Sequence, residues 1–118
     1  MTILLLSRDL LFPSRVRAAA ELLGRELMTV RNPERLIDRL GNPGTTLVLV
    51  DLTCPGLSPT AIRDAARKSG PGPRLVGFGP HVQQELLESA RDAGFDQVLG
   101  NGEFNQQIGS ILGGEPED

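Results

Sequence analysis

Tryptophan and tyrosine are absent from this 118-residue chain, and four phenylalanines supply its whole aromatic content of 3%. Single-strand nucleic acid binders stack bases on aromatic platforms, so that class is disfavoured. One cysteine leaves no internal disulfide and no cysteine-built zinc cage, and one histidine excludes a histidine-rich metal site. No basic excess exists: 12 Lys and Arg face 15 Asp and Glu, for a net charge of −3 and a pI near 5.1. An electrostatic footprint for DNA or RNA is therefore missing. No apolar run approaches the roughly 18 residues of a membrane span. The opening run Met1 to Leu6 is too short for a signal-peptide core and has no basic residue before it. Together these absences describe a soluble cytoplasmic domain with no nucleic acid or membrane partner and no implied metal or cofactor. What is present is an apolar fraction of 39%, enough for one core of ordinary size in one compact domain.

Fourteen glycines and nine prolines fall in clusters that divide the chain into alternating elements. Thr2 to Leu6 is a continuous apolar run, the pattern of a strand buried on both faces. Arg15 to Gly24 carries Val16, Ala19, Ala20 and Leu23 at helical spacing. Pro13 suits the first turn, and Gly24 suits the position just past a helix. Glu26 to Val30 is a weak second strand. Asn32-Pro33-Glu34 reads as a helix start, with a cap, a proline and an acid in the first turn. Leu36, Ile37 and Leu40 form that helix's apolar face, and Gly41 ends it. Thr45 to Leu52 holds the strongest buried-strand signal, Leu47-Val48-Leu49-Val50.

Ser58-Pro59 opens a third helix through Lys68, and Gly70 to Pro73 is a loop. Arg74 to Phe78 is a fourth strand. Val82 to Ala93 forms a helix, with Val82, Leu86, Leu87 and Ala90 inward and Gly94 ending it. Gln97 to Leu99 is a fifth strand. Glu103 to Leu112 is a last helix, with Phe104, Ile108, Ile111 and Leu112 on one side. Residues 1–112 then make one domain, and 113–118 an acidic tail expected to fray. Strict alternation with buried strands predicts an α/β fold: a parallel sheet covered by helices on both faces. In such sheets function sits beyond the carboxyl ends of the strands. Those ends are Ser7-Arg8-Asp9, Asp51 to Gly56, Gly79-Pro80-His81 and Gly100-Asn101-Gly102.

Asp51 ends the most hydrophobic strand, where an acid can accept a phosphoryl group, ligate a metal or cap the next helix. The stretch Leu47-Val48-Leu49-Val50-Asp51-Leu52-Thr53-Cys54-Pro55-Gly56 resembles the third strand and following loop of response-regulator receiver domains. That pattern is an apolar run, Asp-Leu, two residues, then Pro-Gly. Ala93-Gly94-Phe95-Asp96 resembles the family's turn before strand five. The resemblance covers nearly the whole chain. It implies a flavodoxin-like, three-layer fold with five parallel strands in the order 2-1-3-4-5, and a role in two-component signalling.

The resemblance also sets the positions of the phosphorylation apparatus, and the chain departs from it at each one except the acceptor, Asp51. Ser7 and Arg8 stand where two acids normally help hold Mg²⁺. Counting from either side puts Phe78 or Gly79 where a hydroxyl is normal. Asn101 replaces the usual Lys, Gly102 the usual Pro, and Val98 the usual aromatic. Asp9 lies one residue past the acidic pair. Arg8 offers a fixed positive charge that either pairs with the Asp51 carboxylate or points into solvent. The reading is a degenerate receiver, a pseudo-receiver that binds protein partners and catalyses nothing. A weak homodimer is expected through the polar face of helix four, strand five and helix five. Two rivals remain: a phospho-accepting receiver using Asp51 and Asp9, and a small α/β ligand binder or enzyme near His81 and Asp51.

Other chemistry fails on spacing. A Cys-x₅-Arg phosphate loop from Cys54 requires Arg where Thr60 stands, and Leu57 occupies the second position of a Cys-x-x-Cys pair. Cys54 reads as an ordinary small residue and His81 as a surface or capping residue. The glycines of Gly77-Phe78-Gly79 read as packing residues. The charges of Arg63, Asp64, Arg67 and Lys68 read as a solvated helix face.

Overall fold

The runs Ile3 to Leu6 and Leu47 to Val50 contain no polar residue to offer to solvent, so a stable chain must cover them on both faces. A computed structural model, which describes residues 2–9, 12–41, 44–68 and 70–113, shows how this is done. Among these residues five strands and five helices alternate: β1 (Thr2–Leu6), α1 (Phe12–Leu22), β2 (Glu26–Val30), α2 (Pro33–Arg39), β3 (Thr45–Asp51), α3 (Pro59–Ala66), β4 (Arg74–Gly79), α4 (Gln84–Ala93), β5 (Gln97–Gly100) and α5 (Asn101–Gly113). All neighbouring strands are parallel, in the order β2-β1-β3-β4-β5. This is the flavodoxin-like, three-layer α/β/α architecture.

Period-two alternation divides the core into two layers. Leu4, Leu6, Val48 and Val50 pack with Leu36, Leu40, Ile62, Ala66, Leu87 and Ala90 from α2, α3 and α4. Ile3, Leu5, Leu47, Leu49 and Val76 pack with Val16, Ala20, Phe104 and Ile108 from α1 and α5. β1 pairs Leu6 with Val50 of β3, and β3 pairs Asp51 with Phe78 of β4. Asn32 caps α2 by accepting the Arg35 N–H at 2.9 Å, and Ser58 caps α3 by accepting the Ala61 N–H at 3.2 Å.

Several boundaries differ from the sequence reading. α1 starts at Phe12 and ends at Leu22, which leaves Leu23 in the turn that Gly24 makes at φ 68°, 45% exposed and outside the core. α4 starts at Gln84. The Gln83 N–H donates to the Pro80 carbonyl in a turn before the helix, and Val82 is 75% exposed there and not inward. Leu86 is half-buried. α5 starts at Asn101 and takes in Gly113, the first residue assigned to the tail; 114–118 lie outside the described residues.

Arg67 is the element that sequence reasoning misread. It is a clamp and not part of a solvated face. Its guanidinium donates to the Pro73 carbonyl at 2.7 Å and to Asp96 Oδ2 at 3.0 Å. The same carboxylate oxygen accepts the N–H of fully buried Leu75 at 2.7 Å, and the Asp96 N–H returns to the Leu75 carbonyl. One acid thereby ties the end of α3 and the turn before β5 to the start of β4. The loop into β4 also needs Gly72: at φ 68°, a Cβ there would lie 1.9 Å from the Ala66 carbonyl oxygen. The Arg67–Asp96 pair is partly exposed and adds little by charge alone. Stranding the Leu75 N–H is the larger cost. Asp96→Ala is therefore expected to destabilise the fold by about 2 kcal/mol in urea unfolding, and Asp96→Asn, which keeps an acceptor, by less.

Candidate functional site

The carboxyl ends of β1, β3, β4 and β5 converge on one edge of the sheet, and Asp51 is its central acid. Its carboxylate is engaged locally. Oδ1 accepts the Thr53 N–H at 3.0 Å and the Thr53 hydroxyl at 2.6 Å. This is an Asx turn that starts the β3–α3 loop, with the Cys54 N–H donating back to the Asp51 carbonyl at 3.2 Å.

Alternation fixes which neighbours share the Asp51 face. Phe78 lies opposite Asp51 in the β3–β4 register. Phe78 is buried and stacks on Phe104 of α5, with ring centroids 4.3 Å apart and planes at 13°. On the other side, Leu6 pairs with Val50, so one further step brings Ser7 alongside Asp51 and turns Arg8 to the opposite face. Ser7 is 1% exposed and its hydroxyl accepts the Asp9 N–H at 3.2 Å. Arg8 and Asp9 are exposed.

The ion pairs among the described residues are Arg63–Asp64, Arg67–Asp96 and Arg91–Glu88. A pair between Arg8 and Asp51 does not form, and strand parity is the reason. Cys54 is the side chain that feels both charges. Burial pushes its thiol up, the Asp51 charge pushes it further, and the Arg8 charge and backbone N–H oppose them without prevailing. His81 is exposed ahead of α4, where its carbonyl accepts from the Gln84 side chain. Asn101 is exposed in the first turn of α5. The helix begins there because Glu103 accepts the Gly100 N–H at 3.3 Å.

A hard divalent cation needs several oxygen ligands from side chains that converge. Among the described residues no three of His, Cys, Asp and Glu do so. Beside Asp51 the nearest strand end offers a buried hydroxyl and a guanidinium. These residues do not fit Mg²⁺.

The sequence matches no protein-family model and no curated protein. The three-dimensional structure, by contrast, superposes on many solved ones. A response regulator from Hahella chejuensis aligns at a TM-score of 0.80 with 17% identity, over 94% of this chain and 91% of that one. The receiver domain of a sensor histidine kinase from Pseudomonas aeruginosa PAO1, solved with magnesium coordinated in its active-site cleft, aligns at 0.73 with 18% identity, over 95% and 97%. The beryllofluoride-activated NtrC4 receiver domain dimer aligns at 0.74 with 14% identity, over 94% and 95%. The fold is the receiver fold. In it, Asp51 ends β3, Ser7 lies just past β1, Phe78 near the end of β4 and Asn101 just past β5.

Three outcomes follow from this geometry. In a double-mutant cycle of Arg8→Ala and Asp51→Asn, unfolding free energies should add to within about 0.5 kcal/mol, because no direct contact couples the two. Native Cys54 should react with iodoacetamide far more slowly than in urea. Its native thiol also keeps its proton to higher pH than the unfolded one, so stability should fall as pH rises through the thiol range. Cys54→Ala should remove that slope.

Proposed function

We propose that this chain is a degenerate member of the receiver family, a non-catalytic cytoplasmic module of bacterial signalling that works by binding protein and not by accepting a phosphoryl group. The observation that carries this reading is the set of groups around Asp51. Phosphoryl transfer to a carboxylate depends on compensating positive charge and on donors held where negative charge develops. In place of two acids, a hydroxyl and a lysine, this edge presents Ser7, Arg8, Phe78 and Asn101. The acceptor oxygen Oδ1 already carries two hydrogen bonds from Thr53. The Phe78–Phe104 stack supports the same reading, because it fills the place of a mobile hydroxyl with a packed ring.

The face of α4, β5 and α5 is the partner surface in this proposal. Gln84, Glu88 and Arg91 on α4, and Asn105 and Gln106 on α5, are all exposed. Such a surface lacks the aromatic anchors of tight interfaces. It therefore suits weak or conditional association, including a homodimer. One solved structure of this fold is itself described as a dimer.

The test is incubation with a small phosphodonor and Mg²⁺, followed by intact-mass measurement. The expected spectrum shows the unmodified chain. A stoichiometric gain of one phosphoryl group that Asp51→Asn abolishes would overturn the proposal in favour of a working receiver.

A further inference from the structure

The charge of the chain is unevenly placed along it. Residues 1–113 hold 12 basic and 12 acidic side chains, so the whole net charge of −3 falls on Glu115, Glu117 and Asp118. These acids follow the carboxyl end of α5, where the last carbonyls already carry partial negative charge and the last turn holds no basic residue. Acids in that place need cations from elsewhere in the fold. At the amino-terminal edge of the sheet, a cavity of about 250 Å³ supplies two. It lies between the end of α5 and the starts of β3 and β4, and Arg25, Thr46, Leu47, Arg74 and Leu112 line it. Arg25 and Arg74 are half-buried and Thr46 is exposed. Arg25 donates to the Gly113 carbonyl at 3.5 Å, so its guanidinium stands where residues 114–118 begin. Arg74 donates to Gln97 Oε1 at 2.6 Å and joins no ion pair among the described residues.

We propose that this cavity is a docking site for the chain's own acidic segment, Glu115-Pro116-Glu117. Three features of the two surfaces match. Two acids two residues apart meet two arginines on one cavity. Pro116, between the acids, lies against Thr46 and the methylene stems of the arginines, which are the accessible apolar surface there. The residue before a proline favours an extended backbone, which separates the two carboxylates along the cavity. Reach is not limiting: five residues span at most about 17 Å, and they start at the rim. The tether also raises the local concentration of the acids to about the millimolar range, so ion pairs too weak to hold a free peptide suffice for an attached one. The docked segment latches the end of α5 to the starts of β3 and β4. The site is on the edge away from Asp51 and stands whether or not Asp51 accepts a phosphoryl group.

The test is nuclear magnetic resonance on the full, ¹³C,¹⁵N-labelled chain at low salt. Pro116 ring protons should show Overhauser contacts to the Thr46 methyl group, and the Glu115 and Glu117 amides should be as rigid as those of α5. The double variant Glu115→Gln with Glu117→Gln, which changes nothing in the described fold, should lose more than half of that contact intensity. Arg25→Gln and Arg74→Gln should each weaken it. Arg91→Gln, which removes a cation paired elsewhere with Glu88, should leave it unchanged. Salt at 1 M, which shortens screening to about 3 Å, should release the segment. The contacts should survive tenfold dilution, because the segment and its site share one chain. The proposal is overturned if Pro116 makes no contact with Thr46 in the parent, if the contacts persist undiminished in the double Gln variant, or if Arg91→Gln weakens them as much as Arg25→Gln does. It is also overturned if dilution abolishes them, because the occupant would then be the segment of a second copy.

Discussion

Burial of β1 and β3 on both faces is the constraint on which the rest of the structure depends. These two strands carry no polar residue between Ile3 and Leu6 or between Leu47 and Val50, and all eight of those side chains are buried. Each must therefore serve two layers at once. Leu4, Leu6, Val48 and Val50 belong to the layer under α2, α3 and α4, and Ile3, Leu5, Leu47 and Leu49 to the layer under α1 and α5. A slip of one residue in either strand would exchange the two sets and mismatch every helix contact. The register is thereby fixed, and so is the direction of each side chain just beyond the strand ends. Ser7 is sent to the Asp51 face and Arg8 away from it. Phe78 is placed opposite Asp51 by the same rule. The chemistry of the carboxyl edge is a consequence of core packing one residue earlier.

That consequence sets how the edge is held together. A lone carboxylate at a strand end, half-buried and hydrogen-bonded by its own loop, is a stable local structure. Thr53 satisfies Asp51 Oδ1 through both its backbone and its hydroxyl. Cys54, three places after Asp51, turns into the core and keeps its proton because burial and the Asp51 charge act in the same direction. The aromatic stack of Phe78 on Phe104 joins β4 to α5 through a buried contact, and the Phe78 carbonyl accepts the Leu52 N–H at 2.9 Å, so packing and the sheet both hold the strand end that faces Asp51. These features describe an acid held in the Asx turn that opens the β3–α3 loop.

The fold was legible in the sequence where burial alone decides. The continuous runs of β1 and β3, the Asn32-Pro33 and Ser58-Pro59 helix starts, and Gly24 and Gly94 past helix ends all mark local physics that tertiary contacts do not override. Helix ends without such marks were less legible. Val82 and Leu23 have the right spacing for the core and are exposed, because the turns made by Pro80 to Gln83 and by Gly24 take over one residue too soon. The sheet order came from the likeness of the Asp51 loop to receiver domains and not from periodicity. At the site, the residue types were legible and their pairing was not. Whether Arg8 reaches Asp51 depends on alternation beyond the last strand residue, which no motif encodes. The Arg67–Asp96–Leu75 clamp was equally hidden, since a basic residue late in a helix looks the same whether it meets water or a carboxylate 29 positions away.

The clamp bears on how the two sheet edges are held. At the carboxyl edge, polar groups of the site are satisfied by near neighbours in sequence: Ser7 by Asp9, Asp51 by Thr53, and the Gly100 N–H by Glu103. At the amino-terminal edge, Asp96 satisfies Leu75 and Arg67 over long sequence separations, which fixes the start of β4 and the loop carrying Gly72 and Pro73. Thr45 Oγ1, at the start of β3, and Gln97 Nε2, at the start of β5, are buried at this edge without a hydrogen-bond partner among the described residues. Pairing across long sequence separations therefore holds this edge at Asp96, and pairing between near neighbours holds the other.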